Sequence, residues 1–286
     1  MTRITPEAIR AKKARGERIT MLTAYDYSLA AWVDRAGVDI MLVGDSLGMV
    51  VLGYETTAPV TMAEMLPHAQ AVGRAVQRAL VVGDLPKAAL DSSPREVLAC
   101  AQQFLEAGCG AVKLEWRANA PELARHLITA GIAVMGHVGL TPQAVSDPTQ
   151  FRVQGKTAHE ARQILDAADT LEAVGCFSLV VECVPAEVAQ LITQRLSIPT
   201  IGIGAGAACD GQVLVLHDLL GLYPRLTPTF AKQYAHLGET VVQTVQAFCA
   251  DVQAQRFPAA AHTFHLPPSE AEQLRALIAE PHRLRT

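Results

Sequence analysis

The strongest constraint on the fold is the regular alternation of short apolar runs with longer segments of helical periodicity. The apolar runs are nearly continuous rather than alternating, which is typical of strands in a parallel sheet whose two faces are both covered. Eight such runs can be placed along the 286 residues, at 19–24, 40–43, 80–83, 111–114, 133–136, 178–181, 200–202 and 213–216. Segments of helical pattern lie between most of them.

These intervening segments carry signals for helix ends. Thr61 precedes Glu64 in the spacing of a capping box, and Ser93-Pro94 begins a helix that stops before Gly108. Eight strands alternating with helices in about 250 residues predict an α/β fold, the (β/α)8 TIM barrel, in a single domain. A doubly wound open sheet is the alternative. We expect the catalytic barrel, with an N-terminal helix, over residues 1–265 and a C-terminal tail over 266–286.

Composition and charge exclude several classes of protein. Half of the residues are hydrophobic and the net charge is −4, which supplies one large core and gives no basic patch for nucleic acid. The basic residues between Arg10 and Arg18 are expected to form the solvated face of the first helix. The sequence shows no leader and no apolar run near the ~18 residues that cross a bilayer, so we expect a cytoplasmic protein without membrane contact. Six cysteines without a CxxC pair are expected to be reduced, mostly in the core.

Acidic residues follow three neighbouring strands. Asp45 follows the second predicted strand, Asp84 the third, and Glu115 closes the fourth. In a barrel these strand ends meet at the face that carries the active site. Carboxylate oxygens suit Mg²⁺, and neither HExxH nor a Cys/His pair with zinc spacing is present. One of these acids could instead pair with Lys113 or an arginine. Lys113 and Glu115 face the same side of a strand, where a cation beside a metal ligand can hold an anionic substrate.

Two further strand ends carry groups suited to proton transfer or ligand contact. Glu182 follows a strongly apolar strand, which favours a role in general acid/base chemistry, although a charge that reaches solvent is the alternative. His137, just past the fifth predicted strand, either orients a ligand or is a hydrogen-bonded structural histidine. Gly202, Gly204 and Gly206 have GxGxG rather than dinucleotide-binding spacing. A glycine-rich turn explains them better.

The order of several sequence blocks is specific. The blocks are Val-Gly-Asp-Ser-Leu-Gly-Met at 43–49, Gly-Asp-Leu-Pro at 83–86, Val-Lys-Leu-Glu at 112–115, Gly-His-Val-Gly-Leu-Thr-Pro-Gln at 136–143, Glu-Cys-Val-Pro at 182–185, Ile-Gly-Ile-Gly-Ala-Gly at 201–206 and Val-Leu-His-Asp at 215–218. In this order they closely resemble the ketopantoate hydroxymethyltransferase family of pantothenate biosynthesis. The resemblance covers residues 4–265, nearly the whole chain.

The resemblance implies a (β/α)8 barrel that transfers a one-carbon unit from 5,10-methylenetetrahydrofolate to 3-methyl-2-oxobutanoate through a Mg²⁺-stabilised enolate. The product is 2-dehydropantoate, the first intermediate of pantothenate and coenzyme A biosynthesis. It also implies a homodecamer, a pentamer of dimers. By matching motif, Asp45, Asp84 and Glu115 correspond to metal ligands. Ser46 and Lys113, together with Asp45 and Asp84, correspond to the groups that contact the ketoacid. Glu182 corresponds to the proton acceptor.

The sequence departs from the family pattern at three places: Lys87, Trp116-Arg117 and Thr149-Gln150. Trp116-Arg117 lie close to the expected site at the end of the fourth strand, so we expect a narrower and more basic mouth there, and the third departure removes glycines from the loop 146–152. Two other functions remain as alternatives. One is a Mg²⁺-dependent enolate-forming barrel of the phosphoenolpyruvate mutase/isocitrate lyase kind. The other is a non-catalytic ketoacid-binding homologue.

Overall fold

Eight parallel strands close into a barrel in the computed structural model, which describes residues 3–145 and 151–279. Each strand pairs with the next, and the last pairs with the first. The strands are β1 Ile19–Thr23, β2 Ile40–Val43, β3 Leu80–Asp84, β4 Ala111–Glu115, β5 Val134–Gly139, β6 Ser178–Glu182, β7 Thr200–Ile203 and β8 Gly211–Leu214. This topology confirms the predicted (β/α)8 barrel and excludes the open sheet.

Helices lie between most of the strands, as expected, although the described residues between β7 and β8 contain none. They are α1 Pro6–Ala14, α2 Tyr27–Ala36, α3 Leu47–Val50, α4 Met62–Ala75, α5 Lys87–Leu90, α6 Pro94–Glu106, α7 Ala120–Thr129, α8 Ala158–Ala173, α9 Ala186–Arg195, α10 Leu216–Leu220, α11 Leu237–Gln253 and α12 Pro268–Ala279. The chain divides into two compact units, one up to Ala235 that contains the barrel and one from His236 that contains α11 and α12. The expected domain boundary after residue 265 stays a prediction. Among the described residues, none of the helices is both long and apolar enough to cross a bilayer.

Two helix starts occur where the sequence predicts them. At the start of α4, the Thr61 hydroxyl accepts from the Glu64 N–H while the Glu64 carboxylate accepts from the Thr61 N–H. Ser93 and Glu96 make the same reciprocal pair at the start of α6. Each box satisfies N–H groups that have no partner within the helix, which fixes where the helix begins.

The strands divide their side chains between two apolar clusters. Ile40 and Leu42 belong to an inner cluster that includes Ile9 of α1, whereas Met41 and Val43 pack with the outer helices. Successive side chains on a strand point to opposite faces. A filled interior and a helical shell therefore account for the nearly continuous apolar runs in the sequence.

Arg10, Arg15 and Arg18 are exposed as expected, but the two lysines of α1 do not belong to the expected solvated face. Lys12 Nζ lies 2.7 Å from Asp39 Oδ1, and Lys13 Nζ lies 3.0 Å from Asp210 Oδ2. Lys13 also donates to the carbonyl oxygen of Thr193. These lysine side chains are only 20% and 17% exposed, because they attach α1 to the residues at the N-terminal ends of the strands.

Most strand ends differ from the sequence prediction by one to three residues, and two of the differences bear on the site or the packing. β5 continues to Gly139, so His137 lies within the strand rather than past it. β8 begins at Gly211, two residues before the predicted start. A Cβ atom at Gly211 would lie 2.5 Å from the carbonyl oxygen of Ile19. β8 can therefore pack closely against β1 only with glycine at position 211. In a sequence, glycine usually indicates a turn, which is why the predicted strand began too late.

Candidate active site

Three carboxylates come together at the C-terminal ends of β2, β3 and β4. Asp84 and Glu115 are the last residues of their strands, and Asp45 lies two residues beyond β2. All three side chains are buried and line the same cavity. The backbone N–H of Asp45 donates to Asp84 Oδ2 at 3.3 Å. The structure thus brings together the three acids that the sequence singled out.

Lys113 lies within this acidic cluster. Its Nζ donates to Asp84 Oδ1 at 2.6 Å, and both side chains are buried. Burial alone would lower the pKa of Lys113, but the negative charges of Asp84 and Glu115 outweigh it and raise the pKa. Lys113 is therefore a fixed cation, and the ion pair that the sequence left open is formed by Asp84.

Gln143 joins the acids from the loop after β5, a role that the sequence analysis did not assign. Its Nε2 donates to Asp45 Oδ2 and to the carbonyl oxygen of Leu85, both at 2.9 Å, and its backbone N–H donates to Glu115 Oε2 at 3.1 Å. Burial, followed by the charges of Asp84 and Glu115, still raises the pKa of Asp45 well above its ordinary value. The cluster carries more negative charge than its own hydrogen bonds neutralise.

The donor set fits a hard cation. Glu115 Oε1 is buried and has no hydrogen-bond partner among the described residues. In residues 3–145 and 151–279, no three His, Cys, Asp or Glu side chains converge into a ready-made metal cage. Mg²⁺ is commonly held by one or two carboxylates, with water and substrate oxygens completing the octahedron, so such a cage is not required. The assignment of Asp45, Asp84 and Glu115 as ligands stays a prediction.

His137 lies between two carboxylates. Its Nε2 is 3.1 Å from Glu182 Oε2, at the end of β6, and its Nδ1 is 3.6 Å from Glu115 Oε1. Neither contact has hydrogen-bond alignment, so the attraction is mainly between charges. Burial and Lys113 would lower the pKa of His137, but Glu115 and Glu182 outweigh them and raise it to about 9. His137 is therefore part of the site and links Glu182 to the acidic cluster.

Ser46 is positioned by a tyrosine that the sequence analysis did not assign to the site. The Tyr25 hydroxyl and Ser46 Oγ are 2.8 Å apart. Tyr25 is buried, and burial raises its pKa, so it stays a neutral hydroxyl. Ser46 lines the cavity directly after Asp45.

Except for Tyr25 and Gln143, which support the site from behind its wall, these groups line one cavity of about 360 Å³ in the barrel unit. The charged groups from β2, β3, β4, β5 and β6 form one region of it. Much of the remaining wall is apolar and comes from Leu140, Phe151, Val153, Tyr223, Leu226 and Phe230. Asp218, which follows β8, also lines the cavity. The cavity therefore combines a charged region with a large apolar region.

The glycines after β7 form a turn, as the sequence analysis favoured. Gly204 and Gly206 have positive φ angles of 59° and 77°. A Cβ atom at Gly204 would lie 2.8 Å from the Phe230 ring. These glycines therefore allow a left-handed backbone beside an aromatic wall of the cavity.

Two of the family departures, Lys87 and Arg117, pair with the same aspartate outside the cavity. Lys87 and Arg117 each form an ion pair with Asp91. Neither these two residues nor Trp116 is among the described residues that line the cavity. The expectation of a narrower, more basic mouth is therefore wrong for these positions, while Thr149-Gln150 lies outside the described residues.

Fold and site together define a class: a (β/α)8-barrel enzyme whose buried carboxylates suit a hard metal ion and an anionic substrate. Solved structures with the same fold include phosphonopyruvate hydrolase in complex with oxalate and Mg²⁺, at 13% identity and a TM-score of 0.58, covering 98% of this chain and 99% of that one. Another is 2,3-dimethylmalate lyase, a member of the PEP mutase/isocitrate lyase superfamily, at 14% identity and a TM-score of 0.58, covering 97% and 100%. At such low identity these likenesses show the fold alone.

Sequence comparison defines the family. The family model described as ketopantoate hydroxymethyltransferase matches residues 3–260. The 3-methyl-2-oxobutanoate hydroxymethyltransferase of Syntrophus aciditrophicus is 51% identical, over 92% of this chain and 97% of its own length. That of Carboxydothermus hydrogenoformans is 47% identical, over 96% and 100%. The chain belongs to the ketopantoate hydroxymethyltransferase family and is a transferase, which confirms the resemblance seen in the sequence.

Proposed function

We propose that the enzyme transfers a one-carbon unit from 5,10-methylenetetrahydrofolate to 3-methyl-2-oxobutanoate and forms 2-dehydropantoate. The observation that carries the proposal is the convergence of buried acids, Lys113 and Glu182 on one cavity. The names of the relatives support the acceptor and the transferred group. The reaction would be the first step of pantothenate and coenzyme A biosynthesis, and it would take place in the cytoplasm.

The acidic cluster is the proposed site for Mg²⁺, held by Asp45, Asp84 and Glu115. Mg²⁺ supplies Lewis acidity that favours removal of a proton next to a carbonyl group. Glu115 Oε1, which accepts no hydrogen bond from the described residues, and the crowding of three buried carboxylates support a cation at this position.

The ketoacid is proposed to bind against Asp45, Ser46, Asp84 and Lys113. Lys113 offsets the charge of the substrate carboxylate, because it stays protonated within the cluster. Ser46 is held by Tyr25, so its hydroxyl can donate to an oxygen of the substrate without first losing side-chain entropy. These groups fix the orientation of the ketoacid and expose C3 to the far side of the cavity.

Glu182 is the proposed base that removes the C3 proton. It ends β6 and lines the cavity, two strands away from Glu115. His137 holds the carboxylate in position across 3.1 Å. The nucleophilic C3 then forms a bond to the methylene carbon of the folate as one C–N bond breaks, and water displaces the second folate nitrogen, so that the carbon is left as a hydroxymethyl group on C3 and tetrahydrofolate leaves.

Solvent exchange at C3 of 3-methyl-2-oxobutanoate tests this function. The wild-type enzyme in D₂O should exchange the C3 proton only when Mg²⁺ is present, as followed by NMR. Addition of methylenetetrahydrofolate should then convert the ketoacid to 2-dehydropantoate. Ketoacid binding without exchange would instead identify a non-catalytic binding protein. Exchange without transfer would point to another enolate-forming barrel enzyme.

A further inference from the structure

Asp218 is a buried carboxylate for which the proposed chemistry has no role. It follows β8 on the short helix α10, lines the cavity and is only 7% exposed. Within residues 3–145 and 151–279, its side chain makes no hydrogen bond and no ion pair. Burial raises the pKa of Asp218 to about 6, without a contribution from any neighbouring charge.

Structural acids elsewhere in the barrel are satisfied in a different way. Asp39 accepts from Lys12 and from the backbone N–H of Thr20. Asp210 accepts from the backbone N–H of Thr200 and pairs with a lysine. A carboxylate that is removed from water without gaining a partner loses solvation that nothing in the fold replaces. The chain provides partners for Asp39 and Asp210 but none, among the described residues, for the side chain of Asp218. This contrast indicates that the partner of Asp218 is a ligand.

Asp218 lies apart from Lys113 and Glu115 of the proposed ketoacid site, but it is near enough to Tyr25, the partner of Ser46, to contribute to the raised pKa of that tyrosine. β8 lies on the opposite side of the eight-strand ring from β4, which carries Lys113 and Glu115. The cavity of about 360 Å³ also lies in the range of pockets that hold drug-sized ligands, roughly 300–1,000 Å³. A five-carbon ketoacid fills a small part of such a space. The region beside Asp218 is therefore available to a second, larger ligand.

The wall around this region suits a flat heterocycle. Tyr223, Leu226 and Phe230 follow α10 along the chain and line the same cavity. Thr57 contributes a buried hydroxyl that has no partner among the described residues. Aromatic and aliphatic surfaces bind the faces of a planar ring, while isolated polar groups read its edge.

We propose that Asp218 binds the one-carbon donor by accepting two N–H groups from the edge of its 2-amino-4-oxopyrimidine ring. The inference rests on the proposed function, because methylenetetrahydrofolate supplies this ring. The exocyclic amino group and the neighbouring ring N–H form a pair of parallel donors, and a carboxylate offers two matching acceptors. The apolar wall then covers the faces of the ring.

The test is Asp218→Asn, which keeps the shape of the side chain but replaces one acceptor oxygen with an amide that donates. The KM for methylenetetrahydrofolate should rise roughly tenfold to a hundredfold, the range of a charge-assisted hydrogen bond. The KM for the ketoacid should stay near the wild-type value. A donor analogue without the 2-amino group should lose affinity for the wild type but little further affinity for the variant.

Asp26→Asn is the matched control. Asp26 is an exposed N-cap on α2, near enough to His217 to influence its pKa, and it does not line the cavity. Asparagine caps helices as well as aspartate does, so this variant removes one charge at the mouth without loss of the helix. Its KM for the donor should be unchanged.

The outcomes separate this inference from the function on which it rests. If wild-type enzyme shows neither C3 exchange nor transfer, the proposed function fails. If the wild type transfers the one-carbon unit and Asp218→Asn keeps its donor KM, the inference is wrong. An equal rise in both KM values, or an equal effect of Asp26→Asn, would also overturn it. Continued C3 exchange by Asp218→Asn would show that the ketoacid site of this variant is correctly folded.

Discussion

The contact between Glu182 and His137 connects the proposed base to the acidic cluster. His137 is within 3.1 Å of one carboxylate and 3.6 Å of another. The sequence placed Glu182 correctly at a strand end and left His137 open between a ligand and a structural role. Because β5 extends past His137, the imidazole points from within the barrel wall rather than from a loop.

Replacement of Glu182 by glutamine should separate binding from chemistry. Glu182→Gln should keep the affinity for metal and ketoacid, since the acidic cluster and Lys113 are untouched. C3 exchange and turnover should both fall by about 10²–10⁴, the usual contribution of a positioned base. Glu187→Gln, an exposed acid on α9, serves as the control. Unchanged exchange in Glu182→Gln would remove this residue from the mechanism.

Asp218 should make the free enzyme less stable as the pH rises. Its pKa is about 6 in the folded chain against 3.8 ordinarily, so the folded state holds the proton more tightly. Stability is therefore highest below pH 4 with respect to this group and falls as the pH rises to 6 and above. Asp218→Asn should be more stable than wild type by about 1–2 kcal/mol at pH 7.5, with cavity water reducing the full linkage value.

Urea unfolding of both proteins at pH 4.5 and 7.5 would measure this difference. The gap between variant and wild type should shrink toward the lower pH. A gap of the same size at both values would show that titration of Asp218 is not its source.

Residues with evident chemistry could be predicted from the sequence, whereas residues that act through geometry could not. The acids at 45, 84 and 115 are conspicuous because a charge after an apolar strand needs an explanation. Gln143 lies in a short turn, and its contacts to Asp45 and Glu115 span 98 and 28 residues of sequence. No local pattern records such distances.

At the scale of elements, the junction of β5 and β6 depends on one glycine. Gly139 has a φ of 95°, and a Cβ atom there would lie 2.2 Å from the carbonyl oxygen of Glu182. The two residues are direct partners in the sheet. Any side chain at Gly139 must therefore displace the end of the strand that carries the proposed base.

Gly139→Ala should lower both stability and C3 exchange. Overlap with the backbone adds to the left-handed strain, which together should cost roughly 3 kcal/mol or more. Gly131→Ala is the control, because Gly131 also has a positive φ, 83°, but nothing lies within 4 Å of its added Cβ. That variant should lose only about 1 kcal/mol and keep its activity. Equal urea midpoints and equal exchange rates would contradict the assigned contact.

The elements themselves were more predictable than their ends. Burial of both sheet faces leaves apolar runs that mark all eight strands, and capping boxes mark the starts of α4 and α6. Two boundaries that the sequence prediction misplaced, the end of β5 and the start of β8, lie at glycines. Glycine usually signals a turn, but here it permits close approach of neighbouring backbone.

At the scale of the whole molecule, the homodecamer stays a prediction drawn from family resemblance, and α11 offers a surface to test it. Val241, Val245, Phe248 and Val252 repeat at helical spacing and are all exposed. A continuous apolar stripe of this kind commonly marks an interface.

Val245→Glu should reduce the mass of the assembly in light scattering after gel filtration, because it places a charge within the stripe. Gln243→Glu adds the same charge on the opposite face of α11 and should leave the mass unchanged. An assembly that survives the first change would exclude this stripe as an essential contact.

The imbalance of charge around the cavity has a kinetic consequence. Five carboxyl groups line it, against Lys113, Arg152 and the protonated His137. Such a mouth attracts cations and repels anions, yet both proposed organic substrates are anionic. We therefore expect compulsory ordered addition, with the divalent ion entering ahead of the ketoacid. Initial rates measured while both are varied would show it: because the ketoacid traps only the metal-loaded enzyme, the Mg²⁺ concentration that gives half the maximal rate should fall toward zero as the ketoacid approaches saturation, whereas independent binding would leave that concentration unchanged.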